Sequence, residues 1–190
     1  VMEPSGRPWL LALDIGETRL ADVRQMNDFR LQRRHPIEQT LLYGVSSWPN
    51  AVRETQLSEG ARRQNLQLPP RGNPQARQWA ADLSRRHPHA DTLVDAMMAH
   101  FSDEPYHYTL KPPVLGADSI DDFLFSSRSG FCGHYAGAMT FVLRAAGIPA
   151  RVVAGYQGGE LNPDGQYLSV RQFDAHAWVE YWQPGIGWRS

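Results

Sequence analysis

The chain has 190 residues, of which 42% are hydrophobic and 21% charged, which is enough apolar material for one large or two small globular domains. Its 19 Lys and Arg residues nearly balance its 20 Asp and Glu residues, so no broad basic field favours nucleic acid or an anionic membrane as a partner. The single cysteine excludes an internal disulfide and a zinc site of several thiolates, and no cluster of His, Asp and Glu has the spacing of metal ligands.

No membrane-spanning or targeting segment is visible in the sequence. No apolar run approaches the roughly 20 residues that cross a bilayer, and the start VMEPSGRPW lacks the charged and apolar regions of a signal peptide. The chain begins with Val1 and stops at Ser190, just after a predicted strand begins. We therefore expect it to be a piece of a longer protein, with any localisation signals outside it.

Residues 1–65 are predicted to form a small β-rich domain. Strands are predicted in RPWLLALD and in EQTLLYGVSSW. The second is predicted because Leu41, Tyr43 and Val45 alternate with polar or small residues. The stretch NLQLPPRGNP then contains three prolines and a glycine, which cannot continue a helix or a central strand. We place the domain boundary in this linker and a second domain at 73–190.

Two amphipathic helices are predicted after the linker. Asn73 and Pro74 fit the N-cap and first turn of a helix whose apolar stripe ends before Pro88. Asp91 is expected to cap the second helix. YHYTLKPP is expected to be extended, and SIDDFLFSS to form a short helix capped by Ser119.

The most informative stretch is SRSGFCGHYAGAMTFVLRAAGIPARVV. From Cys132 onward its apolar residues have the spacing of an amphipathic helix, which ends at Gly147 and Pro149. If the helix begins at Ser129 or Gly130, Cys132 lies in its first turn with the side chain on the inward face.

Three strands are predicted after this helix, in ARVVAGYQ, QYLSVRQ and AHAWVEYW, with the turn sequences ELNPDG and QPGIG between or after them. We expect them to form one antiparallel sheet. Alternation along the third strand separates two faces. One face carries His176, Trp178, Glu180 and Trp182, and the other Ala177, Val179 and Tyr181.

Cys132 and His176 are the candidates for a nucleophile and its base. A thiol is mostly protonated at neutral pH, but the free amides of a helix start and a nearby imidazolium both favour the thiolate. The Cys132 amide would also be free to donate to a developing oxyanion. The alternative is that the cysteine is a small buried hydrophobic residue and the histidine a structural one. His134 lies roughly 160° round the helix from Cys132, which favours a structural role for it.

A third group normally orients an imidazole of this kind. If the chain turns back after the third strand, the position opposite His176 lies at roughly 192 to 194 by antiparallel pairing, beyond Ser190. Asp174 has the right strand parity, although two positions along a strand are about 7 Å apart, which is long for a contact. Asp174 could instead pair with an arginine such as Arg171 or Arg151.

The segment from DDFLFSS to PGIGW resembles the transglutaminase-like core of the papain-like cysteine enzyme superfamily, in particular that of large bacterial membrane proteins of the TgpA type. GFC, GIPARVV, GYQGGELN and DAHAW occur in the family's order. The resemblance covers about 73–190 and implies an α+β fold, a catalytic helix packed on an antiparallel sheet, preceded by a small β-rich domain. It implies Cys132 as nucleophile, His176 as base, and an aspartate a few residues after Gly187 and Trp188 as the third member, beyond the end of this chain.

The function that follows from this resemblance is a cysteine acyltransferase of the protein-glutamine γ-glutamyltransferase type, with no cofactor. Its partners would be a protein or peptide with a glutamine or other amide side chain, and an amine acceptor. Two alternatives stay open: a hydrolase, amidase or protease, at the same site, and a cell-envelope binding module without turnover. Trp178, Tyr156 and Tyr135 could wall the cleft or be ordinary core aromatics. The resemblance places this part in the periplasm, within an inner-membrane protein.

Overall fold

The structure is a computed structural model that describes residues 1–190, and it divides into two compact units, Val1–Val52 and Arg53–Ser190. The sequence placed the domain boundary later, in the linker after residue 65. The units divide earlier because the segment that begins at Arg53 bonds to the last strands of the second unit. The Trp188 N–H, for example, donates to the Arg53 carbonyl at 3.0 Å.

The first unit is built from short strands. They are β1 (Trp9–Leu10), β2 (Ile15–Glu17), β3 (Val23–Gln25), β4 (Leu31–Arg33) and β5 (Ser46–Trp48). One sheet has the order β1–β4–β3, and β2 pairs with β5. Leu10, Leu31 and Ile37 form its small buried core. The β-rich character expected here is confirmed, although only the end of EQTLLYGVSSW is a strand.

The first part of the second unit is mostly helical, with two short strands between the helices along the chain. In chain order they are α1 (Glu59–Asn65), α2 (Pro74–Arg86), α3 (Ala90–Asp103), β6 (His107–Tyr108), α4 (Ser119–Asp121), a π-helical segment (Asp122–Ser127), β7 (Ser129–Gly130) and α5 (Cys132–Ala145). β6 and β7 pair in parallel. The N-cap of α4 is Asp118 rather than the predicted Ser119. None of these helices combines the length and the apolar character needed to cross a membrane.

The strands after α5 form two separate sheets. They are β8 (Ala150–Tyr156), β9 (Glu160–Asn162), β10 (Tyr167–Ser169), β11 (Ala175–Gln183) and β12 (Gly187–Arg189), with a 3₁₀ turn, Gln172–Asp174, before β11. β12, β11 and β8 form an antiparallel sheet in that order, while β9 and β10 pair only with each other. The prediction of one sheet that includes QYLSVRQ is therefore wrong. Within ELNPDG, Glu160–Asn162 forms β9, which pairs with β10 as a hairpin, and β11 therefore lies directly beside β8.

The core of the second unit lies around α5. This helix packs against β11 and β8 and also against α2 and α4. Its buried residues include Ala138, Val142 and Leu143, and the sheet contributes Ala150 and Tyr181 to the same core. The predicted architecture, a helix packed on an antiparallel sheet, is confirmed.

Asp91 links this helical layer to the sheet instead of capping a helix. The N-cap of α3 is His89, and no side chain caps this end. The Asp91 carboxylate accepts a hydrogen bond from the Tyr181 hydroxyl at 2.9 Å and another from the Gln183 side-chain amide. The predicted cap is wrong because the Asp91 carboxylate instead accepts hydrogen bonds from two donors on β11.

Candidate active site

Cys132 is the first residue of α5. The N-cap residue, Phe131, has extended backbone with φ −112° and ψ 179°. Ser129 and Gly130, where the sequence placed the helix start, instead form β7. The predicted first-turn position of Cys132 is confirmed, and at that position its N–H has no acceptor within the helix.

The thiol of Cys132 lies at the N-terminal end of α5. The thiol is free and half-buried, so a substrate can approach it. The unpaired amides and the positive end of the α5 dipole stabilise negative charge within the first turn. The site therefore supplies one of the two features that a nucleophilic thiolate needs, and the other is a proton acceptor.

His176 is the second residue of β11 and lies directly opposite Gly155 on β8. The indole of Trp178 covers Gly155 on that face, since a Cβ on this glycine would be 2.8 Å from the Trp178 ring. Glu180 shares the face, where its carboxylate pairs with Arg151 at 2.7 Å. The predicted assignment of these side chains to one face is confirmed.

The chain path brings Cys132 and His176 to the same end of the unit. Helix α5 ends at Ala145 and β8 begins at Ala150 after a short connection, and Ala150 pairs with Tyr181, far along β11. A helix of 14 residues and a strand of seven each span about 20 Å. The chain thus returns along β8 to the level where α5 begins, and β11 also starts there.

No hydrogen bond joins the thiol to the imidazole in this structure, in which both residues are half-buried. His176 lies on the face of β11 opposite to Val179 and Tyr181, which pack into the helical core. Any contact between imidazole and thiol is then made at the end of α5, outside that core. Catalytic hydrogen bonds are often longer in unliganded enzymes than in the reacting complex.

The register of β12 indicates where a third group would lie. β11 and β12 pair Trp182 with Trp188 and Tyr181 with Arg189. Extending this register by five residues from the Tyr181–Arg189 pair places position 194 opposite His176, within the range expected from the sequence. This position lies beyond Ser190.

Asp174, the other candidate acid, makes a local structural bond. Its Oδ2 accepts the backbone N–H of Arg171 at 2.7 Å, which closes the 3₁₀ turn before β11. The Arg171 guanidinium pairs with Glu160 at 2.8 Å, and that of Arg151 pairs with Glu180. Neither arginine forms the ion pair with Asp174 that the sequence suggested.

Tyr135 and Tyr156 occupy different environments. The Tyr135 ring is 5.0 Å from that of Phe123 at a steep angle, and Tyr108 stacks on its outer side at 6.3 Å. Burial raises the pKa of Tyr135. Tyr156 is 37% exposed, and its hydroxyl donates to Gln172 at 3.2 Å. Tyr135 therefore belongs to the core, and Tyr156 borders the open surface.

A strap of two residues at the start of the second unit, Arg53 and Glu54, holds the strands that carry the site. Arg53 pairs with Glu180 at 2.5 Å. The indole N–H of Trp182 donates to the Glu54 carbonyl, and that of Trp188 to the Glu54 carboxylate, each at 2.6 Å. Sequence reasoning missed this strap because 127 residues separate Arg53 from its partner. No group of three or more His, Cys, Asp or Glu side chains is placed to hold a metal ion.

The chain is similar to a known protein family and to two curated proteins. Residues 77–190 match the family model of the transglutaminase-like superfamily. The whole chain is 63% identical to a protein-glutamine gamma-glutamyltransferase of Pseudomonas aeruginosa and covers 28% of it. It is 34% identical over 130 residues, 65% of its length, to the uncharacterized protein YebA of Bacillus subtilis, of which it covers 18%. The chain thus spans less than a third of the curated relatives that it matches.

Solved structures show the same fold. The crystal structure of the periplasmic domain of TgpA from Pseudomonas aeruginosa matches the full chain with a TM-score of 0.97 and 63% identity, over 66% of that domain's chain. A crystal structure of the same domain bound to ethylmercury matches with the same TM-score and identity, over 68% of its chain. The expected α+β core is confirmed by both.

Proposed function

The chain belongs to the transglutaminase-like superfamily, and on that premise we propose that it is the catalytic part of a cysteine acyltransferase that acts on glutamine side chains. The observation that carries the proposal is the position of Cys132, the only thiol, as the first residue of α5, at the end of the unit where β11, which carries His176, also begins. The name of the 63% identical relative, protein-glutamine gamma-glutamyltransferase, supports the substrate class.

In the proposed reaction the Cys132 thiolate attacks the carboxamide carbon of a glutamine side chain. The oxygen becomes negative and accepts hydrogen bonds from the free amides at the start of α5, including that of Cys132. His176, which has taken the thiol proton, gives it to the nitrogen as the C–N bond breaks, so ammonia leaves and a thioester remains. A primary amine then attacks the thioester and loses a proton to His176, and an isopeptide bond forms as the protonated thiol is released.

The proposed location is the periplasmic side of a membrane-anchored protein. The matching crystal structure is that of a periplasmic domain, and the chain covers only 28% of its relative. A lone cysteine suits an oxidising compartment, because it has no partner in the chain for a disulfide that would block the nucleophile.

The surface beside the proposed site suits a polypeptide substrate. β8 is the outer strand of its sheet, so an extended segment that presents a glutamine could pair along its free edge. Exposed apolar side chains occur on β8, on the β9–β10 hairpin and in the residues that lead from β10 to β11, and they are Val152, Tyr156, Leu161, Tyr167, Leu168, Val170 and Phe173. We expect Leu168→Lys to raise KM for a glutamine-bearing protein severalfold and to leave KM for a short glutamine peptide unchanged. Equal KM values for the protein substrate in both forms would contradict this docking edge.

Alkylation of the thiol tests the proposed ion pair. The chain has one cysteine, so every label reports on Cys132. At pH 6 iodoacetamide should react with the native protein much faster than with a free peptide cysteine, because only the thiolate reacts. His176→Ala should lower the rate toward that of the peptide, and Cys132→Ala should abolish labelling. An ordinary slow rate in the native protein would contradict the pairing.

Amine incorporation tests the reaction itself. The full-length protein should attach a labelled primary amine to a glutamine-bearing protein, and Cys132→Ala should not. Equal labelling by both forms would remove the transferase proposal. Release of ammonia or peptide fragments without amine incorporation would assign a hydrolase, with water as the acceptor. Substrate binding with neither product would assign a binding module.

A further inference from the structure

The His134 imidazole folds back over the residues that precede Cys132. The Phe131 N–H donates to His134 Nδ1 at 3.3 Å, and the His134 N–H donates to the Phe131 carbonyl at 2.8 Å. The side chain three residues after the N-cap thus reaches back to the N-cap amide, as glutamate or glutamine does in a capping box. Because Nδ1 accepts this bond, the ring N–H of His134 is placed on Nε2.

The same ring is packed tightly against Gly130. A Cβ on Gly130 would be 2.7 Å from the Cβ and Cγ of His134 and 3.0 Å from its Nδ1. The Phe131 ring meets the imidazole edge-on at 4.4 Å, and the Phe123 ring lies 5.7 Å away. The imidazole is therefore held between neighbouring side chains while it clamps the backbone of residues 130 and 131. We call this arrangement the His134 clamp.

The clamp determines the direction of the Cys132 amide. The peptide group that joins Phe131 to Cys132 is planar, so the Cys132 N–H points away from the Phe131 carbonyl. That carbonyl is bonded to the His134 N–H, and the amide on the other side of Phe131 is bonded to the His134 ring. One residue thus restrains the backbone on both sides of Phe131 and, with it, the orientation of the donor that faces the reacting carbonyl.

We propose that His134 is a positioning residue that orients the Cys132 N–H toward the oxyanion. The inference rests on the proposed function, because an oxyanion forms only when Cys132 attacks a carbonyl. His134 touches no reacting atom in this role. Its loss should slow acyl transfer far more than it changes the reactivity of the thiol, since the helix dipole that favours the thiolate stays in place.

Two substitutions in the full-length protein distinguish the role of the Nδ1 acceptor from that of the aromatic ring of His134. His134→Phe keeps an aromatic ring but removes Nδ1, and we expect it to lower kcat for amine incorporation roughly tenfold to a hundredfold, which is less than the roughly hundredfold to thousandfold effect of removing an oxyanion donor outright. His134→Gln restores an acceptor of capping-box type and should recover part of kcat. Iodoacetamide alkylation forms no oxyanion, so its rate should change less than about twofold in both variants. Native kcat in His134→Phe would overturn the proposal, as would an equal fall in kcat and alkylation.

A second variant disturbs the clamp without changing His134. Gly130→Ala puts a methyl group where the ring lies and should produce the same split between kcat and alkylation. Gly137→Ala is the matched control on α5, since a Cβ there meets no atom within 4 Å, and both rates should stay native. Native kcat in Gly130→Ala would overturn the proposal. If the native protein is active and the clamp variants are fully active, only this inference is wrong. If the native protein neither incorporates amine nor releases ammonia, the proposed function is wrong as well.

Discussion

Asn73 and Asp121 cap each other's helices. The Asp121 carboxylate accepts the N–H groups of Gln75 at 2.9 Å and Ala76 at 2.8 Å, in the first turn of α2. The Asn73 side-chain oxygen accepts the N–H groups of Ile120 at 2.9 Å and Asp121 at 3.2 Å, in α4. Both side chains are buried. The exchange fixes the start of α2 to the start of α4, and both helices pack against α5.

Loss of either partner should destabilise the chain. Asp121→Ala leaves two amides without their acceptor, and we expect a loss of about 3 kcal/mol in the free energy of unfolding. Asn73→Ala should lose about 2 kcal/mol, partly because φ is 54° at this residue and alanine adopts that conformation less readily. The double variant should show a coupling of about 1 kcal/mol. Urea unfolding measures all three, and strictly additive losses would contradict the exchange.

Glu180 should contribute strongly to stability. Its side chain is 3% exposed and pairs with Arg53 and Arg151, which are also largely buried. Glu180→Gln leaves both guanidinium groups without a counter-charge, so we expect a loss of about 3 kcal/mol. Asp82→Asn is the control, because the Arg85–Asp82 pair is exposed and should contribute less than about 1 kcal/mol. Similar urea midpoints for the two variants would refute the role of Glu180.

Two tyrosines should make the chain less stable at high pH. Burial raises the pKa of Tyr106 and of Tyr181 to about 12, and for Tyr181 the bond to Asp91 adds to the shift. An unfolded tyrosine ionises near pH 10. Between these values the unfolded state loses a proton that the native state keeps, so the stability contributed by each group is complete below pH 10 and lost as the pH rises to about 12.

The tyrosinate absorbance of the native chain should therefore contain two late components. Tyr106→Phe and Tyr181→Phe should each remove one of them and reduce the loss of stability above pH 10. Tyr106→Phe keeps the ring contacts and removes the hydroxyl that donates to the Leu124 carbonyl at 2.8 Å. If neither variant changes the titration near pH 12, the environment assigned to these hydroxyls is wrong.

Local sequence patterns predicted the elements that have a clear period. The stripes of α2, α3 and α5 and the alternation in β11 each arise from one face that packs into the core, so the pattern and the structure share a cause. Helix α1 was missed because it buries no residue and carries no stripe, although the Ser58 side chain caps it by accepting the Ala61 N–H at 3.2 Å.

Long-range partners explain the errors in the predicted caps and the missed parts of the site. Asp91 bonds to Tyr181, 90 residues away, and Asn73 caps a helix 47 residues later. A capping rule considers only the backbone amides of the nearest turn, so it does not account for hydrogen-bond partners that lie far away in the sequence. The first-turn position of Cys132 was predictable because it depends on its own helix. The strap formed by Arg53 and Glu54 was not, since its partners lie at the other end of the chain.

The indole of Trp178 should fix the position of the His176 imidazole. Gly155 pairs with His176. A Cβ on Gly155 would lie 2.8 Å and 3.2 Å from atoms of the Trp178 indole, so Gly155→Ala must displace the indole. We expect kcat for amine incorporation to fall about tenfold, because a misplaced base loses its reacting geometry, and alkylation of Cys132 at pH 6 to slow with it. The double variant with Trp178→Leu should recover activity, and Gly60→Ala, where a Cβ meets nothing within 4 Å, should be native. Unchanged rates in Gly155→Ala would show that the indole does not position the imidazole.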